Sequence, residues 1–191
     1  MADLTIDKSS TALVLIDLQR GIATGNLAPN AATDVIARGA ELAAAFRKHA
    51  ALVVLVNVDL GPNGVLFPQP QADNPRPPFN APPEFSELVP ELDRQSSDIV
   101  VTKHQPNAFY STDLEVHLRR RGIKTIVLAG ITTNLGVEST ARAAFERGYE
   151  QVFVADAMSA RAEVLHTHTV THILPTMGRV RTTAEVTAAI G

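Results

Sequence analysis

The apolar residues of the chain fall into two rhythms. Runs rich in Val, Ile and Leu, at residues 12–16, 51–58, 98–102, 125–129 and 151–155, are apolar at nearly every consecutive position. A strand with one wet face would alternate, so these runs predict strands buried on both faces. Between them the spacing changes to threes and fours. Val35, Gly39, Leu42 and Phe46, with Ile36 and Ala43 beside them, mark one helix, Leu114 and Leu118 a second, and the alanine-rich segment 137–146 a third. Strands of this kind alternating with helices predict an α/β three-layer sandwich, with a mostly parallel sheet of five to six strands in a Rossmann-like arrangement.

Punctuation agrees with that pattern. Gly122 follows the run Arg119 to Arg121, and Gly148 follows Arg147, as expected where cationic side chains face the carboxyl end of a helix dipole. The arginine run therefore reads as a solvated helix end in preference to an anion patch. Residues 60–83 break the rhythm, holding eight of the 12 prolines, which excludes helix and interior strand. A loop of this length is expected to act as a lid or as an arm reaching another subunit. Val65, Leu66, Phe67 and Phe79 within it are costly to expose, which predicts a homo-oligomer, the alternative being that the loop folds back over its own site.

Composition narrows the class. With 191 residues, 45% hydrophobic and 19% charged, a single domain spanning the whole chain is expected. Cys 0 excludes thiol nucleophiles, thiolate metal sites and disulfides, and a net charge of −3 argues against a nucleic-acid partner. No apolar run approaches the ~18 residues that span a bilayer, and MADLTIDKSS lacks the features of a signal peptide, so a cytoplasmic location without membrane contact is the expectation.

In open parallel sheets, ligands bind at the carboxyl ends of the strands. The residues after the apolar runs are Asp17, Asp59, Lys103, Gly130 followed by ITTNLG, and Asp156. A carboxylate and a lysine at one sheet edge suit acid/base work, because a neighbouring cation and burial move the carboxyl pKa in opposite directions. Which effect prevails for Asp17 is not legible from sequence.

Three stretches, LVLIDLQRGI, VVTKHQPNAFYSTDLEVHLRRRGIKTIVLAGITTNLGVESTARAAFERGYEQVFVADAMSA and VRTTAEV, together resemble the isochorismatase-like hydrolases, a family that also contains nicotinamidases and related amidases. The resemblance spans the chain apart from the proline-rich loop and the termini. It implies a catalytic constellation of Asp17, Lys103 and the position of Gly136, where thiol-dependent members carry Cys. It further implies a cis peptide at Ile131–Thr132, with the amides of Thr132 and Gly136 facing one oxygen of the ligand at the start of a helix. Thr132, Gly136, Phe109 and Gln19 are the expected substrate-binding residues.

Departures from the family pattern shape the functional expectation. Glycine at 136 excludes the covalent amidase route, whereas isochorismatases proper split a vinyl ether without a thiol. The segment NVDLGPNGVLF has Asp59 but no histidine of the nicotinamidase metal set, so no metal and no cofactor are expected. Gln105 and ITTNL replace residues common in isochorismate-hydrolysing members, which argues against that substrate. His168 and His172 share a helical face, but His166 aligns with Val170 and Ile173 as a packing face, and a metal site there is not favoured. Phe109 and Tyr110 are read either as pocket lining or as core. The expected activity is hydrolysis of a small, carboxylate-bearing substrate by an Asp/Lys pair; the alternative is a small-molecule-binding protein that has lost the family's thiol chemistry.

Overall fold

The computed structural model describes residues 4–75 and 79–190, so Pro77 and Pro78 of the proline-rich segment lie outside the described residues. Among the described residues six strands form one sheet: β1 (Thr11–Ile16), β2 (Leu52–Val58), β3 (Ile99–Lys103), β4 (Thr125–Ile131), β5 (Glu150–Ser159) and β6 (Arg179–Arg181). They are ordered β3-β2-β1-β4-β5-β6, and every pairing is parallel. The α/β three-layer expectation is met. The strand β6 was not legible as an apolar run, because it is a three-residue edge strand with the sequence RVR.

Side chains on successive residues of each strand serve opposite layers. Leu13, Leu15, Val53, Leu55, Val127 and Ala129 join one core with Val35, Leu42 and Phe46 of α1 (Ala32–Lys48) and Val186 of α5 (Thr183–Ala189). Val14, Ile16, Val54, Val56, Ile126 and Leu128 join the other with Leu114 and Leu118 of α2 (Leu114–Arg120) and Ala141 and Ala144 of α3 (Glu138–Glu146). A fifth helix, α4 (Glu163–His168), follows β5. Burial on both faces is what makes the strands apolar at consecutive positions.

Charged residues near the strands have structural duties. Asp98, just before β3, takes two bonds from Arg47 at the end of α1, at 3.1 and 2.7 Å, and so fastens helix to sheet. Arg119 lies 4.5 Å over the Tyr149 ring and donates to the Arg147 carbonyl, in keeping with the helix-end reading of the arginine run. Among the described residues no helix is long and apolar enough to cross a membrane.

The sheet ends sooner or later than the apolar runs suggest. In β5 the register slips, with Leu128 facing Phe153 but Gly130 facing Met158, so the strand bulges and runs on to Ser159. Asp156 is therefore inside β5, not beyond it, and its carboxylate accepts the Thr183 N–H and hydroxyl at the start of α5, 2.8 and 3.0 Å away.

Two glycines of positive φ separate crowding from backbone preference. A Cβ at Gly130 (φ 117°) would collide with the Ile16 carbonyl where β4 meets β1, whereas one at Gly122 (φ 64°) meets nothing within 4 Å. Gly130→Ala is expected to lower the free energy of unfolding by at least about 3 kcal/mol, and Gly122→Ala by only about 1–2 kcal/mol. Denaturant titration of both variants checks this ordering.

Candidate active site

The strand order reverses direction between β1 and β4. From β1 the chain passes to α1 on one face of the sheet, and from β4 to α3 on the other, so a crevice opens between their carboxyl ends. Asp17 and the segment after Ile131 meet there.

Asp17 leaves β1 with φ 52°, in the left-handed region that Asp tolerates better than most side chains. Lys103 is the last residue of β3, two strands away, and its Nζ donates to Asp17 Oδ2 at 2.8 Å. Both side chains are withdrawn from water, at 2% exposure for Lys103 and 7% for Asp17. Asp17 Oδ1 is buried with no hydrogen-bond partner among the described residues. Burial pushes the Asp17 carboxyl up to about 6, against the opposing pull of the Lys103 charge and hydrogen bond. Desolvation thus prevails over the cation, which settles what the sequence left open.

Beyond β4 the peptide Ile131–Thr132 is cis, as the resemblance implied. A π-helical turn (Thr133–Val137) leads directly into α3 and carries Gly136. A Cβ added at Gly136 would lie 3.2 Å from Asp17 Oδ2 and 3.0 Å from Ile16 Cγ2. The position that the family resemblance matches to a thiol nucleophile is therefore directly against the carboxylate.

Asp17, Lys103, Thr132 and Gly136 all line one cavity of about 260 Å³, closed by Ile22, Val58, Leu60, Phe67, Pro106, Ile131, Leu135 and Arg161. Its size suits a small molecule, and its wall is mainly apolar with a few converging polar groups. The proline-rich loop supplies Leu60 and Phe67 to this wall, so it folds back over the site. Val65, Leu66 and Phe79 still remain 66%, 45% and 45% exposed.

Two expected substrate contacts are placed elsewhere. Gln19 is fully buried, and its side-chain amide is occupied by the Val58 carbonyl, the Phe85 carbonyl and the Val58 N–H, at 2.9, 2.8 and 2.7 Å. It braces the rim of the site and does not line the cavity. Phe109 stacks on Tyr149 with ring centres 5.9 Å apart, and Arg147 lies 4.9 Å from its ring centre, so it belongs to the core on that face of the sheet, while Tyr110 is 65% exposed. Asp59 turns back to its own loop and accepts the Gly61 N–H at 2.9 Å. Gln105 is held by the carbonyls of Asn107 and Tyr110.

The histidines divide in the same way. His166 is buried, and its Nδ1 lies 2.8 Å from the Thr133 hydroxyl, a partner the sequence did not reveal. His168 and His172 are exposed with ring centres 5.4 Å apart, and no group of three or more His, Asp or Glu side chains placed to hold a metal occurs among the described residues. Arg161 was also missed. It stands two residues beyond the true end of β5, where the strand-end rule reaches it once the bulge is taken into account.

Comparison with known proteins places this arrangement. Residues 11–185 match the model of the isochorismatase domain. A Bacillus subtilis protein described as the uncharacterized isochorismatase family protein YwoC is 46% identical, over 97% of this chain and 96% of its own. The ureidoacrylate amidohydrolase RutB of Variovorax paradoxus is 33% identical over 81% of this chain and 70% of its own. The solved structure of an isochorismatase family protein from Burkholderia thailandensis superposes with a TM-score of 0.93 at 47% identity, covering 97% of each chain. With the domain match, the whole-chain relatives and the shared sheet in agreement, the chain belongs to the isochorismatase family.

Proposed function

We propose that this protein hydrolyses a small carboxylate-bearing substrate by proton transfer through Asp17, without a covalent intermediate. The observation that carries the reading is the desolvated Asp17 carboxyl, pushed up to about 6 beside Lys103 in a small cavity. Near neutrality such a group populates both protonation states, as an acid that must also act as a base requires. In its protonated form Asp17 gives its proton to the substrate. Water then adds to the activated carbon, the bond from that carbon to its leaving oxygen or nitrogen breaks, and the proton from water returns to Asp17. The Lys103 ammonium steadies the carboxylate present between the two transfers. With Gly136 offering no side chain, water is the attacking group, and the Thr132 and Gly136 amides are the donors for oxygen on which charge develops. Kinship with a ureidoacrylate amidohydrolase supports a small acid as substrate.

A panel of vinyl ethers, ureido acids, amides and esters tests the reading. Asp17→Asn is expected to lower turnover of whichever compound reacts by about 10²–10⁴-fold. Purified protein that turns over nothing sensitive to this substitution is instead a non-catalytic binding protein.

The pH dependence has a definite sign. Because the protonated carboxyl starts the reaction, kcat/KM is expected to fall as pH rises through about 6. Both contributions of Lys103 hold that pKa down, so Lys103→Met moves the falling limb to higher pH, read from the pH–rate profile. By linkage the same group favours folding below its ordinary 3.8, and that contribution is lost as pH rises through about 6. Asp17→Asn removes this slope from the stability profile.

Gly136→Cys places a thiol against Asp17. On treatment with p-nitrophenyl acetate the variant is expected to gain one acetyl group with release of p-nitrophenolate, seen by intact mass, and the wild type is not. The exposed Val65 and Leu66 further support self-association through the loop, with more than one chain mass expected on light scattering at micromolar concentration.

A further inference from the structure

The cavity that holds Asp17 is not the end of the concavity. A second chamber of about 870 Å³ adjoins it, and Ile22, Leu60, Phe67 and Arg161 belong to the walls of both. Apart from Gly21, its remaining wall comes from the proline-rich loop and the turn that follows, including Phe79 and Phe85, whose rings meet edge to face at 5.5 Å. The outer chamber is therefore aromatic, and the passage between the two is marked by a guanidinium.

Charge bookkeeping across the two chambers leaves one sign over. Their described walls hold three charged side chains, Asp17, Lys103 and Arg161. The first two pair with each other at 2.8 Å. Arg161 donates only to backbone carbonyls, those of Thr24 at 2.7 Å and Ile22 at 3.2 Å, and has no carboxylate partner among the described residues. Those two bonds fix the direction of the guanidinium without neutralising it, and a five-donor fork has N–H groups left for a bidentate anion. A ligand complementary to the combined site carries one negative charge near the passage and an apolar body beside it.

We propose that Arg161 and the outer chamber form a specificity subsite for a monoanionic carboxylic acid with an aromatic or branched apolar group, the carboxylate on Arg161 and the apolar group against Phe79 and Phe85. This deepens the proposed hydrolytic reading and rests on it only in taking the inner cavity as the place of reaction. Asp17 and Lys103 then address the scissile bond, and Arg161 sorts the substrates that reach them.

Binding without turnover tests the subsite apart from the reaction. By isothermal titration, 3-phenylpropanoate is expected to bind the Asp17→Asn protein about tenfold more tightly than the neutral 3-phenylpropanamide, the size of one charge-assisted hydrogen-bonded contact. Arg161→Gln abolishes that preference, Arg161→Lys keeps part of it, and Phe79→Ala weakens acid and amide alike. Equal binding of acid and amide, no binding of either, or a preference that survives Arg161→Gln overturns the proposal. If Arg161→Gln does not fold, the acid preference in the parent protein and the response of both ligands to Phe79→Ala decide the matter. A preserved preference in a protein that hydrolyses nothing in the substrate panel defeats the hydrolytic reading and leaves the subsite standing. Hydrolysis of a carboxylate substrate that is unaffected by Arg161→Gln does the reverse.

Discussion

The carboxyl edge of the sheet is organised by a lysine that crosses one strand to reach a carboxylate on the next. Lys103 ends β3, Asp17 follows β1, and β2 lies between them, a span of about 10 Å at the usual strand spacing. Only a long unbranched side chain covers that distance with its stem in apolar surroundings and its charge at the far end. Parallel register sets the reach, since Val58 of β2 faces Lys103 while Val56 faces Ile16. Taking two such charges out of water is expensive, and an apolar pair of similar volume generally serves a fold as well. The pair is therefore best understood through what it does to the Asp17 proton.

Crowding between β1 and β4 shapes the same site from the other side. The Ile16 carbonyl occupies the space a side chain at Gly130 would need, and Ile16 and Asp17 press on Gly136 closely enough that a Cβ there only just fits. Two glycines six residues apart thus face the same end of β1, Gly130 against the Ile16 backbone and Gly136 against the Ile16 and Asp17 side chains. The Asp17 carboxylate meets the cavity with only a small part of its surface, and this withdrawal from bulk water is the physical origin of its raised pKa.

Much of this was written in short-range pattern. Consecutive apolar residues revealed five strands because both faces of the sheet are covered, and Asp17 and Lys103 stood out because each closes such a run. The pattern failed where long-range contacts decide. In β5 the apolar run stops at the polar Asp156, so the strand end was placed too early and Arg161 was passed over. Gln19 lies two residues after Asp17, but its partners lie 39 and 66 residues away in sequence, and nothing local marks its amide as fully occupied. Phe109 likewise packs on Tyr149, a pairing set by where α3 delivers the chain. The prolines told that residues 60–83 are irregular, without telling which way the loop would fold.

The bonds around Gln19 have a consequence for how such a protein changes over time. Gln19 holds the Phe85 carbonyl, Asn57 of β2 holds the Ser86 carbonyl at 2.7 Å, and Gly21 and Arg20 donate to the Phe85 and Glu87 carbonyls. The exit of the proline-rich loop is thereby stapled to the same strand ends from which the loop departs. Closing a loop between two fixed feet depends only weakly on its length, so residues can be added to or removed from it at small thermodynamic cost. The feet, and with them Asp17 and Lys103, stay where they are. The loop can in this way be rewritten by insertion and deletion while the strand ends that hold Asp17 and Lys103 are left untouched.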